Sequence, residues 1–113
     1  MEVFLHLLPL LGGLLVLAGL LHAIFVGMTF TVDATHVRVR FYGWTARRLA
    51  LADLEYAAQD WAFWNEHWTN TVNPRRLVLL RRRTGLFRNF LVSPRSPAAF
   101  LEELRAAGVV VKA

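Results

Sequence analysis

His6, His22, His36 and His67 are the side chains of this 113-residue chain whose charge changes near neutral pH. The chain contains no cysteine, so disulfides, thiolate nucleophiles, zinc–thiolate sites and iron–sulfur clusters are excluded together. Glu66 and His67 are neighbours, a pair that a hydrolase uses when a nucleophile stands beside it. No serine is placed near them, there is no His-x-x-x-His or Glu-x-x-His ligand spacing, and there is no glycine-rich phosphate loop. The expectation is a protein that is not an enzyme and holds no metal or resident cofactor, with His67 a solvated loop residue.

His22 is the histidine that asks for more, because it sits in a stretch without charge: from Val3 to Val32 there is no Asp, Glu, Lys or Arg. An imidazole in such surroundings hydrogen-bonds a partner helix, its own backbone or headgroup water, relays a proton, or ligates a pigment or haem. His6 lies about four helical turns before it, so the two cannot grip one group from a single straight helix. Ala18 precedes His22 by four residues, and Ala-x-x-x-His resembles the pigment-ligating pattern of bacterial light-harvesting polypeptides. The resemblance is five residues long and implies, as an alternative function, a cofactor-carrying membrane subunit with a chlorin or haem on His22. Gly12, Gly19, Ala23 and Gly27 fall on one side of the same stretch. Small residues at this spacing let a second helix approach closely, so a partner membrane protein or self-association through the helix is expected.

Two further groups could recognise a surface. The segment Asp60–Asn70 carries Trp61, Phe63, Trp64 and Trp68 and is the least regular part of the chain. Rings with polar edges suit the headgroup layer, a protein interface, or the core, and all three uses stay open. Arg75, Arg76, Arg81, Arg82, Arg83 and Arg88 form the densest basic cluster in a chain of formal net charge +5. Arginines of this kind attract anionic membrane lipids or an acidic partner surface. No nucleic-acid recognition motif accompanies them, and none is expected as a partner.

These groups need elements to hold them. The apolar run Val3–Met28 exceeds the roughly 20 residues that a bilayer core of about 30 Å requires, which predicts one transmembrane helix over residues 1–28. A secretory signal would have basic residues ahead of a shorter apolar stretch, whereas Glu2 is the one charge before this run. Arg38, Arg40, Arg47 and Arg48 follow the span and no Lys or Arg precedes it. That asymmetry places the N-terminus outside and residues 29–113 on the cytoplasmic face of an inner membrane.

Within residues 29–113 the period changes to two. Val37, Val39 and Phe41 point one way and Arg38 and Arg40 the other. Thr29–Asp33 is the preceding strand, Gly43-Trp44 a turn, and Ala46–Leu51 and Leu54–Gln59 are further strands with Leu49 and Leu51 inward. Asn73-Pro74 turns the chain, and Arg76–Arg82 and Leu86–Val92 make a hairpin across Arg83-Thr84-Gly85. Ser96 caps a closing helix that Pro97 opens and Gly108 ends, with Phe100, Leu101, Leu104 and Ala107 as its apolar stripe, and the valines that follow are packed or paired. Short antiparallel strands followed by one amphipathic helix make an α+β chain.

From Thr29 to Ala107 the chain resembles the bacterial PH-domain (pleckstrin-homology-like) family. The best-matching stretches are Val37-Arg38-Val39-Arg40 with Gly43, then Leu49-Ala50-Leu51-Ala52-Asp53-Leu54, and Phe90 to Leu101 with its Ser93-Pro94 and Ser96-Pro97. The resemblance implies a PH-like antiparallel barrel or sandwich capped by the helix, joined to a membrane anchor, and a binding or scaffold role as an accessory or assembly subunit of a membrane complex. The first turn reads Asp33-Ala34-Thr35-His36, without the basic residues that hold phosphoinositides in eukaryotic PH domains.

Overall fold

The computed structural model describes residues 2–71 and 73–112. Met1 and Ala113, the outer bounds of the expected two-part division, and Val72 lie outside the described residues. Helix α1 spans Glu2–His22 and passes through Pro9 without interruption. Its 21 residues cover about 32 Å, and none of them is buried. Leucine and valine side chains are exposed around the whole helix, an arrangement that water does not stabilise. With the π-helical segment Ala23–Gly27 that continues it, the helix is long and apolar enough to cross a membrane.

The rest of the chain folds as two sheets and a helix. Strands β1 (Met28–Val32), β2 (His36–Phe41) and β3 (Trp44–Ala50) form an antiparallel sheet in that order. Strands β4 (Leu54–Ala58), β5 (Glu66–Trp68), β6 (Val78–Arg82), β7 (Asn89–Val92) and β8 (Val111–Lys112) form the second, in the order β5-β7-β6-β4-β8. β5 pairs parallel with β7 and β8 parallel with β4, so this sheet is mixed. The two sheets share no strand pair among the described residues, so of the expected antiparallel barrel or sandwich the closed barrel is not formed, and the second sheet is not purely antiparallel.

The alternation in β2 works as expected: Val37 and Val39 are buried, while Arg38 turns outward to Asp33. Val37, Val39 and Leu49 of the first sheet meet Leu54, Val78, Leu80, Phe90 and Val92 of the second, and Phe100 and Leu104 of helix α2 (Pro97–Ala106) close the core. Ser96 accepts from the Ala99 N–H at one end of α2. At the other end Gly108, at φ +94°, donates to Arg105 while Val109 donates to Leu104, a Schellman closure that buries Val109 against the core. Ala107 falls in this cap and is exposed, so it leaves the expected stripe.

Several boundaries differ from the expectation. The second turn is Tyr42-Gly43, and Trp44 already belongs to β3. β6 begins only at Val78, because Pro74–Arg76 form a 3-10 turn capped by the Asn73 side chain. Leu86–Arg88 belong to the turn, not to β7.

One ion pair bridges the two sheets where strand pairing does not, and a second braces the edge of β4 against β6 within the second sheet. Arg47 of β3 donates twice to the Glu66 carboxylate of β5, at 2.8 and 3.1 Å, and the Trp68 indole N–H adds a third bond. Burial raises the Glu66 carboxyl, but the hydrogen bonds from Arg47 and Trp68 outweigh it and hold it below the usual carboxylate range. Asp53, just before β4, accepts from Arg82 at 3.0 Å and from the Thr84 hydroxyl at 2.8 Å. Burial opposes its ionisation as well, and again the hydrogen bonds prevail and lower its pKa.

Because both carboxyls ionise more readily folded than unfolded, their stabilisation is complete above the ordinary carboxylate range near pH 4 and is lost as pH falls through the folded values. Thermal unfolding of the full chain in detergent, followed by tryptophan emission, is expected to show a falling Tm below about pH 4. Glu66→Gln is expected to cost about 1–2 kcal/mol at pH 7 and to flatten that fall.

Candidate docking surface and helix junction

The turn between β2 and β3 is a two-residue loop with both residues at positive φ, Tyr42 at 52° and Gly43 at 86°. Such turns favour Asn-Gly, and a tyrosine at the first position costs roughly 1–2 kcal/mol. The ring of Tyr42 shows what offsets that cost. Its hydroxyl is hydrogen-bonded to Nδ1 of His22, its plane stacks on the imidazole with centroids 5.6 Å apart, and its backbone N–H donates to the Gly27 carbonyl at 2.9 Å. A Cβ on Gly27 would lie 2.8 Å from the ring. Gly27 is therefore buried beneath Tyr42 inside this chain and offers no packing position to a second helix. Gly12 and Gly19 have nothing within 4 Å and remain open along α1, and Ala23 is half-buried. His22 takes its place in this junction, holding Tyr42 from the last turn of α1.

The aromatic segment and the arginine hairpin, 20 residues apart in sequence, meet in space. Trp64 stacks on Phe87 with centroids 5.0 Å apart, and the Asn89 amide donates to the Trp64 carbonyl at 3.0 Å. Trp61 and Phe63 form an edge-on pair beside them. Trp61, Phe63, Trp64 and Leu86 are all more than half exposed, Phe63 reaching 84%. Arg83 and Arg88 are exposed on the same turn and make no side-chain hydrogen bond among the described residues. Trp68 separates from this group: its ring turns inward against Phe41 at 6.2 Å and its N–H goes to Glu66.

The six arginines do not form one patch. Arg81 is committed to Asn89 and Arg82 to Asp53, so both are structural. Arg75 and Arg76 stand at the other end of β6 from Arg83 and Arg88. Glu66 is held by Arg47 and Trp68, and His67 contacts Asn65 and Thr69. Sequence reasoning missed Tyr42, Leu86, Phe87 and Trp44, the last of which is 83% exposed next to the Tyr42-Gly43 turn. The signal for Tyr42 was a bulky residue directly before Gly43 at a hairpin turn.

The aromatic and arginine surface sits at the start of β7, and the residues after β7 lie beside the end of α1. The two ends are separated by at least one strand length, about 13 Å. Comparison of the chain with protein-family models, curated proteins and solved structures finds no match.

Tyr42→Asn suits the turn better than tyrosine and removes the contacts with His22 and Gly27. It is expected to leave the domain's Tm within a few degrees of wild type while making the segment Ala23–Met28 several-fold more sensitive to limited proteolysis in detergent. Unchanged cleavage would show that the junction does not depend on this ring.

Proposed function

We propose that this chain is a membrane-anchored docking module and not an enzyme: an accessory subunit whose helix spans an inner membrane and whose PH-like domain binds a partner protein at the cytoplasmic face. The composite surface of Trp61, Phe63, Trp64, Leu86 and Phe87 with Arg83 and Arg88 carries this reading. Exposed aromatic rings beside arginines that make no ion pair among the described residues have the composition of a protein hot spot, and scattered surface hydrophobics do not cluster in this way. The surface stands a strand length from the end of α1, which favours a protein partner over the headgroup layer. The guanidinium groups call for a partner with carboxylates around an apolar depression.

Strands followed by a single closing helix support the PH-like reading of the domain, and the arginines after the span support the cytoplasmic orientation. The glycines left open on α1, Gly12 and Gly19, give the partner a second contact within the bilayer.

Solubilising the membranes of the source organism in mild detergent is expected to recover the chain in a complex larger than the monomer. Phe63→Ser with Arg88→Glu, both at exposed positions outside the core, is expected to weaken that association about thirtyfold, or about 2 kcal/mol, with Tm unchanged. Recovery of the wild-type chain as a lone monomer would sink the proposal.

A further inference from the structure

Where α1 enters the domain, a cleft of about 840 Å³ opens between the end of the helix and the turns that flank the second sheet. Its two walls differ in chemistry. Phe25, Val26 and Phe30 make one wall, continuous with the apolar surface of the helix above. Arg76 and Arg95 stand among the residues of the other, from the turn before β6 and the turn after β7. Among the described residues no carboxylate lines the cleft. Arg76 donates to the Ser93 carbonyl at 3.2 Å, and its Nε is buried with no acceptor among the described residues. The guanidinium groups of Arg76 and Arg95 can each donate to an anionic oxygen, the acceptor that such groups bind most strongly.

We infer that this cleft binds an anionic glycerophospholipid of the leaflet in which α1 ends. Its phosphate lies between Arg76 and Arg95, and its acyl chains run back along Phe25 and Val26 toward the bilayer. The volume falls in the range of small-ligand sites. The depth is that of the headgroup layer, because the apolar wall begins in the last turn of the span. The apolar wall selects an amphiphile over a free phosphate. Two guanidinium groups without an acid beside them select a net negative headgroup over a zwitterionic one, whose ammonium would find no partner. The site is distinct from the Arg83 and Arg88 surface at the far end of β7. It rests on the reading of α1 as a membrane anchor.

Arg95 is exposed and makes no side-chain hydrogen bond among the described residues, so Arg95→Gln tests the site without disturbing the fold. Thr29, exposed at the cleft, allows Thr29→Glu to place a carboxylate inside it. The delipidated full-length chain in mild detergent, offered equal dioleoyl-phosphatidylglycerol and dioleoyl-phosphatidylcholine, is expected to retain one molecule of the anionic lipid preferentially in native mass spectrometry. Arg95→Gln is expected to reduce that preference about fivefold and Thr29→Glu to abolish it, while Arg83→Gln leaves it unchanged. Equal retention of both lipids, or a preference untouched by Arg95→Gln and Thr29→Glu, overturns the site. Displacement of the lipid by equimolar inorganic phosphate would show a phosphate site and overturn the lipid assignment. Release of the chain from membranes by alkaline carbonate would overturn the anchor and the cleft together, whereas an integral chain without lipid preference overturns the cleft alone.

Discussion

The contact between the Tyr42 ring and Gly27 decides how everything else is disposed. It brings the tip of a β-hairpin onto the last turn of an apolar helix, at a place where any side chain larger than hydrogen would collide with the ring. A helix and a domain joined only by a flexible segment would move independently. Here a stacked pair, a side-chain hydrogen bond and a backbone hydrogen bond act within one turn of each other. The left-handed backbone of Tyr42 is tolerated because the ring is used three times over. The cleft beside Phe25 and Val26 and the stand-off of the aromatic surface both follow from that fixed angle.

The domain manages charge economically. Twelve arginines in so small a chain cannot all serve one purpose. Arg38 closes the first turn by reaching Asp33, whose carboxyl that hydrogen bond, with the Thr35 and His36 backbone, holds well below the usual range. Arg47 bridges the two sheets through Glu66, and Arg82 ties the β6–β7 hairpin to Asp53. These three satisfy structural carboxylates and leave Arg83 and Arg88 at one end of the second sheet and Arg76 and Arg95 at the other. The open seam between the sheets is where the Arg47–Glu66 pair lies, so an ion pair does there what a shared strand does in a closed barrel.

This arrangement gives the proposed docking module two working ends. The end nearest α1 combines an apolar wall, two arginines and the exposed Trp44, all suited to the layer where hydrocarbon meets headgroups. The far end presents exposed rings and guanidinium groups. A lipid at the first end would stiffen the junction and so fix the direction in which the second end points.

The apolar helix, the alternation in β2, the β6–β7 hairpin and the cap of α2 were legible in the residues themselves, because each rests on local periodicity or on side chains within a few positions of each other. The absence of thiol chemistry was equally plain, since composition decides it. What could not be read was which distant segments meet. Nothing local says that Trp64 stacks on Phe87, that Glu66 answers Arg47, that Trp68 turns inward, or that Arg76 faces the end of the helix. Gly27 shows the difference most clearly: its spacing from Gly19 and Ala23 suggested a face for another helix, yet the folded chain fills that space with its own Tyr42. Periodicity reports the environment of one element, whereas the partner of each face is chosen by the packing of the whole chain.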